Sequence, residues 1–419
     1  MMHGEGEKEA APARVLVFDY TELSAEFRAN PHERLDPQRA ERPVERDVLL
    51  SALLITSYQL GRDMLLDQSL SRDFADAAPS NLIIANVRKL NAAVEEEFGP
   101  HASILTLDNK EHARVRTIVA EAFLKRAAAA QQLIHATVEA ALDKLAMSDR
   151  FDVVEDYAAR IPIGVLGAIL GCDPADFAQL RAWTEAGQQA FDPTPSSDRE
   201  ARAIEGRRGI LGYFRDLMAE RGKAPRDDLI SDLLAARDNG APIEDHEILH
   251  NLFALLVAGH LTTSDLIGNG AYLLLERPDS VAALLENPDL IAGAVEEILR
   301  FEPPISFTAR FALGDGAIGG CPYHKSDGLT VNLLAANRDP DKFDDPHHFD
   351  IQRKRNPHMA FGAGAHICIG APLARLEGQT AILRLIQRFP KLRRAETGAP
   401  EWRATIGVRG LARLEVLTT

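Results

Sequence analysis

Phe361-Gly362-Ala363-Gly364-Ala365-His366-Ile367-Cys368-Ile369-Gly370 is the stretch that decides what kind of protein this chain encodes. Glycines on both sides of one cysteine suit a loop whose backbone approaches something bulky and flat. Ala371-Pro372-Leu373-Ala374-Arg375-Leu376-Glu377 follows at once and reads as a helix start, with Pro372 in the first turn. A thiol at that helix mouth meets free backbone N–H groups and the positive end of the dipole, which favours the thiolate and predicts a lowered pKa. The alternative is a structural cysteine in a tight turn. Only Cys172, Cys321 and Cys368 are present, and they are widely separated. Such a set is neither a disulfide framework nor a zinc motif. If a cysteine matters here, it acts as a single thiolate.

Outward from the loop, the chain reads as mainly α with a minor β component. Charged residues make up 26% and aromatics only 6%, and Ala and Leu dominate long stretches, which favours helix over strand. Helical periods cover 112–125, 127–147, 157–170, 173–190, 199–221, 280–285 and 289–301. A longer one at 245–275 would cross a whole domain. Asp108 and Glu111 are spaced as a capping box ahead of the 112–125 helix. The segment 47–67 reads as a short strand running into a helix, and 72–107 as irregular. The chain after Pro303 also reads as irregular until a helix begins at Cys368, and 405–417 as a hairpin strand pair. Residues 1–13 form a flexible tail ahead of one domain, 14–419. The net charge of −15 argues against nucleic-acid binding and against a polybasic membrane anchor. Neither a secretory leader nor a membrane-length apolar run is visible, so a cytoplasmic location without membrane attachment is expected.

The cysteine segment, written FGxGxHxCxG, resembles the haem-binding loop of the cytochrome P-450 family. The resemblance runs from about Glu33 to Leu417 and is strongest from Ala254 onward. It implies the family's single-domain triangular helical fold with small sheets. It also implies haem b, with iron held by Cys368 and with Phe361, Gly362 and Gly370 shaping the loop. Glu297-Ile298-Leu299-Arg300 looks like the family's ExxR motif; its spacing alone places acid and guanidinium on one helical face. Segments at 335–340 and 345–353 match the family's meander, where Arg353 would complete an ion-pair network with Glu297 and Arg300. His112 and Arg116, stacked four residues apart, match the HxRxR pattern. With Arg310 and His366, they would hold the haem propionates.

Ala258-Gly259-His260-Leu261-Thr262-Thr263 resembles the family's oxygen-binding segment on its long distal helix. Small Ala258 and Gly259 would make room for dioxygen, and the Thr262 hydroxyl would hydrogen-bond it. A mid-helix threonine can also bond back to its own i−4 carbonyl. Leu261 departs from the family pattern, which has Asp or Glu there. Asp265, one turn on, is the candidate replacement in proton delivery. Substrate polar groups or peroxide use are the other routes, and changing Leu261 to Glu should then alter coupling. The resemblance places the substrate pocket at 87–104, Leu255, Ala258, Ile305, Ser306, Phe307, Ile406 and Gly407, with apolar walls for a hydrophobic small molecule. It implies a monooxygenase of secondary metabolism that hydroxylates or epoxidises its substrate with O2. Electrons would come from NAD(P)H through a ferredoxin or flavodoxin and its reductase. Arg353, Lys354, Arg355, Arg114, Lys125 and Arg126 are candidates for the docking patch, or else an ordinary solvated surface. The alternatives are peroxide-driven oxidation, desaturation or coupling, possibly on a carrier-bound substrate, and a non-catalytic haem or carrier-protein binding module.

Overall fold

Asp245–Leu275 is one unbroken helix of 31 residues, with the bounds that the apolar pattern predicts. It is buried over most of its length because its apolar residues run around the whole circumference. At its start the Glu247 carboxylate accepts the Glu244 backbone N–H at 2.9 Å. The computed structural model describes residue 21 and residues 23–47, 52–188 and 196–419. The expected tail, positions 48–51 and the last two positions of the 173–190 helix lie outside the described residues.

Two later helices, Ile291–Phe301 and Ala371–Arg388, pack along the long one. A Cβ at Gly378 would lie 3.0 Å from Leu266, and one at Gly270 would lie 2.5 Å from Ile382. The long helix and Ala371–Arg388 therefore run in the same sense. The N-terminal mouth of the cysteine helix lies toward the residues that precede Leu266. That arrangement positions the site.

Other helices match their expected places with shifted ends. They are Asn109–Ala129, Gln131–Leu145, Arg160–Leu170, Phe177–Gln188, Ser197–Lys223 and Pro278–Glu286. A π-helical turn, Val153–Ala158, takes the start of the expected 157–170 helix. The helix Leu229–Asp238 was not anticipated. Four expectations are corrected. The 72–107 stretch is not irregular, because Leu82–Phe98 is a helix. Asn81 caps it by accepting the Ile84 N–H at 3.1 Å, and Ile83, Ile84, Val87, Leu90, Val94 and Phe98 are buried. The turn residues at 78–81 end before the helix rather than replacing it.

The chain after Pro303 supplies strands Phe307–Ala312 and Gly328–Asn332, and the cysteine helix starts only at Ala371. The expected 405–417 hairpin is absent. Glu415–Leu417 instead pairs with Arg150–Asp152 and Arg393–Arg394, and the segment before it makes only isolated bridges, Trp402↔Leu411 and Ile305↔Val408. Gly407, at φ 77°, interrupts its extended run. Finally, Asp108 caps nothing with its side chain, for a reason given below.

The five-stranded sheet has the order Val44–Asp47, Ala52–Ile55, Gly328–Asn332, Phe307–Ala312, Leu70–Ser71. Ala52–Ile55 runs parallel to Gly328–Asn332, with Ala52 opposite Gly328, and the other pairs are antiparallel. Leu53, Ile55, Leu329 and Val331 pack under it in a smaller apolar cluster, while the main core runs through the helices.

Candidate active site

The cysteine loop is held by its own backbone. Phe361 O accepts the Cys368 N–H at 2.9 Å and Met359 O accepts that of Gly362 at 2.8 Å. Gly362 and Gly364 sit at φ 72° and 75°, where a side chain is strained. A Cβ at Gly364 would also lie 2.5 Å from Leu65 O. Gly364–His366 forms a 3-10 turn, and the Cys368 thiol is left exposed beside the helix mouth. The N–H groups of Gly370 and Ala371 aim at its sulfur, and Arg116 and Arg375 add positive charge. Although one side of the residue is open, the protein packed around the sulfur on its other sides is the larger influence, and the thiol pKa is raised. This corrects the lowered value expected from the helix mouth alone. A bonded cation at the sulfur is what would favour the anion.

The four residues expected to hold propionates are brought together. The His112 ring stacks on His366 with centroids 4.1 Å apart, and buried His112 Nε2 has no partner. Arg116 donates to Ile367 O at 2.6 Å. Arg310 is buried and donates to Ala309 O at 2.9 Å. Burial, reinforced by the nearby Arg72 cation, pushes its pKa down to about 9. Burial likewise brings His366 down to about 4.

Sequence reasoning missed two neighbours. The Asp108 carboxylate accepts the N–H groups of Arg72 and Asp73 at 2.5 and 3.0 Å and the Ser71 hydroxyl at 2.7 Å. It also lies 3.3 Å from His366 Nε2. These partners explain the missing cap, since the carboxylate serves the 71–73 turn while Glu111 pairs with Arg114 at 2.5 Å. Arg72 donates to Ala309 O at 2.8 Å, and no pattern around it in the sequence distinguishes it. Arg72 and Arg310 thus face Asp108 with histidines that are neutral at pH 7, a surplus of positive charge suited to anionic groups.

On the long helix, Ala258 is exposed and the Thr262 hydroxyl donates to Ala258 O at 2.7 Å. Leu261 is buried, as is Asp265, which is paired with Arg403. Burial raises the Asp265 pKa to about 6 against the pull of Arg403. Its Oδ1 faces Arg403 on the Gly410 side, while Oδ2 is buried without a partner. A Cβ at Gly259 would lie 2.8 Å from Leu166 Cδ2, so its small size serves helix packing.

Of the pocket residues, Leu255, Ser306 and Ile406 are buried, and Ile305 and Phe307 partly so. The Ser306 N–H donates to Gly407 O at 3.1 Å, which joins the 305–307 and 406–408 segments. Val87 is not a loop residue; it packs with Leu90 and Ala203.

Glu297 and Arg300 are fully buried and paired through two bonds of 2.6 and 2.8 Å. The Glu297 carboxylate also accepts from Arg353 Nε at 3.2 Å, from the Asp350 N–H at 2.9 Å and from Asn356 Nδ2 at 3.1 Å. Arg300 also donates to the carbonyls of Asn337, Pro346 and His348. The expected basic patch is thinner than its sequence suggests. Arg353, Arg114 and Arg126 are engaged in ion pairs, whereas Lys125, Lys354 and Arg355 are exposed.

The residues fit haem. A flat ligand has glycine backbone to lie on and a thiol open to one side, and its carboxylates would meet Arg310, Arg116 and the unpartnered His112 Nε2.

Solved structures share this architecture. Myxobacterial CYP267B1 in complex with myristic acid superposes with a TM-score of 0.87 at 32% identity, covering 95% of this chain and 98% of that one. P450BioI in complex with a hexadec-9Z-enoic acid ligated acyl carrier protein gives 0.84 at 33%, covering 94% and 99%. Fold and comparison together define a haem-thiolate protein. The family description Cytochrome P-450 matches residues 210–400. Cytochrome P-450 107B1 of Saccharopolyspora erythraea is 35% identical, over 96% of this chain and 97% of its own. Cytochrome P-450 monooxygenase PikC of Streptomyces venezuelae is 34% identical, over 98% and 96%. This chain belongs to the cytochrome P-450 family and is an oxidoreductase. Among the described residues, no helix is long and apolar enough to cross a membrane.

Proposed function

We propose that this enzyme holds haem b through Cys368 and inserts one atom of O2 into a C–H or C=C bond of a hydrophobic secondary metabolite. Electrons come from NAD(P)H through a ferredoxin or flavodoxin and its reductase. One observation carries the reading. The Cys368 thiol is open to one side at a helix mouth, with Gly370 and Ala371 N–H groups on its sulfur. Similarity to PikC and to a 6-deoxyerythronolide B hydroxylase supports the substrate class. Thiolate-bound haem iron supplies O–O bond cleavage.

The remaining work falls to side chains. Arg310, Arg116, His112 and His366 hold the propionates. Leu255, Ile305, Phe307 and Ile406 exclude water and seat the substrate beside Ala258. The Thr262 hydroxyl spends its own proton on Ala258 O, so its free lone pairs can accept a hydrogen bond from a water or from the substrate. Leu261 offers no acid, and Asp265 is buried with one oxygen paired to Arg403. Protons therefore arrive by water or a substrate hydroxyl held at Thr262. Exposed Lys125, Lys354 and Arg355 form the reduced docking patch for an acidic electron donor.

Leu261 in place of the family's acid favours one second reading, oxidation driven by hydrogen peroxide. The test has two stages. Reduced, carbon-monoxide-treated protein should show the red-shifted absorbance of thiolate-ligated haem, and Cys368→Ser should abolish it. An unaltered spectrum in that variant would refute the assignment. Turnover with a reductase pair but not with peroxide then supports the monooxygenase, and the reverse supports the second reading.

A further inference from the structure

Away from the thiol, the helix His32–Glu41 meets the segment that precedes Arg353. There His32, Asp36 and His347 converge, with candidate ligand atoms all within 4.8 Å of one another. His347 Nε2 is 3.1 Å from Asp36 Oδ2, and His32 Nδ1 is 3.6 Å from Asp36 Oδ1. Bonds of about 2.0–2.2 Å in a tetrahedron require ligand atoms roughly 3.3–3.5 Å apart. The His347–Asp36 separation lies just below that range, and the three candidate atoms lie within 4.8 Å of one another, so small side-chain shifts would close the set. His32 and Asp36, four residues apart, share a helical face.

The second observation is His32 itself. It is 8% exposed, and neither ring nitrogen has a hydrogen-bond partner. An ion bound at Nδ1, the nitrogen on the Asp36 side, would satisfy one of the two.

Three cations stand against an ion here, Arg338, Arg39 and Arg300, with Glu302 offsetting the first. Arg39 donates to Asp36 Oδ1 at 2.8 Å. That bond leaves Oδ2 facing His347 and orients the carboxylate as an outer partner does at metal sites. His347 is exposed enough to admit an ion from solvent.

We propose that His32, Asp36 and His347 form a binding site for a divalent transition-metal ion of the zinc class, with water completing the shell. The site has a structural consequence. Pro346 O and His348 O, on either side of His347, accept hydrogen bonds from Arg300 at 2.8 and 3.1 Å. An ion would clamp the His32–Glu41 helix onto the loop that cradles Arg300.

The test uses untagged, haem-loaded protein titrated with Zn2+ by calorimetry. One saturable ion per chain is expected, with an X-ray absorption spectrum showing two imidazole nitrogens and carboxylate oxygen. Saturating Zn2+ should raise the thermal midpoint by about a few degrees. His347→Ala and Asp36→Asn lie near the surface and should fold and keep their haem. Each should weaken Zn2+ binding by roughly 10- to 100-fold or more and lose the midpoint rise. No stoichiometric binding in the parent, or undiminished binding in His347→Ala, overturns the proposal.

Discussion

Glu297→Gln removes a charge and little volume from the most enclosed ion pair among the described residues. Arg300 would keep its three carbonyl acceptors but lose its counter-charge at a site with no solvent exposure. Removing one partner of a buried pair costs about 3–5 kcal/mol, because the other charge stays buried and uncompensated. Arg353→Ala is the contrasting variant. Its side chain is 11% exposed, and its loss leaves Glu297 with Arg300, the Asp350 N–H and Asn356. About 1.5–3 kcal/mol, the range for hydrogen bonds to a charged group, is the expected cost. In urea, a chain of this length should unfold with a slope above roughly 3 kcal/mol per molar. Glu297→Gln should therefore lower the midpoint by about 1 M, followed by far-UV circular dichroism and haem absorbance together. Arg353→Ala should fall between it and the parent. Equal midpoints for the two variants, or a Glu297→Gln midpoint matching the parent, would refute the reasoning.

Two further outcomes concern the distal and proximal sides. Thr262→Ala should divert electrons from product to peroxide while NAD(P)H oxidation continues, and Thr262→Ser should restore coupling; product per NAD(P)H consumed is the measurement. Burial disfavours the Glu296 anion, but its bonds to His358 and Arg375 outweigh burial and bring its pKa to about 2. A folded-state pKa below the unfolded one stabilises the fold above the unfolded value, near 4.5, and that stability is lost as the pH falls toward 2. The thermal midpoints of the parent and Glu296→Gln should differ at pH 7 and converge as the pH falls below about 4.5. A difference constant with pH would contradict this.

The chemistry-bearing segments were the most legible part of the sequence. Glycines in a tight loop, an i,i+3 acid–base pair and a long, largely apolar helix are local signals, and the structure carries them at the expected residues. What escaped notice depends on partners distant in the chain. Asp108 looked like a cap because its competitors, the 71–73 turn and His366, are invisible to local spacing. Asp265 shares a face with Leu261 as helical geometry requires, but Arg403 claims its carboxylate. The strands Phe307–Ala312 and Gly328–Asn332 lie among turn residues, and only pairing reveals them. Basic residues counted as a docking patch lost half their number to intramolecular carboxylates.

The parallel pairing of Ala52–Ile55 with Gly328–Asn332 has a consequence for biogenesis. During synthesis, an early segment waits for its inner neighbour until most of the polypeptide has left the ribosome. Its apolar face, Leu53 and Ile55, stays uncovered for that interval. Expression at reduced temperature or with added chaperone capacity should therefore recover more of this protein than stronger induction would.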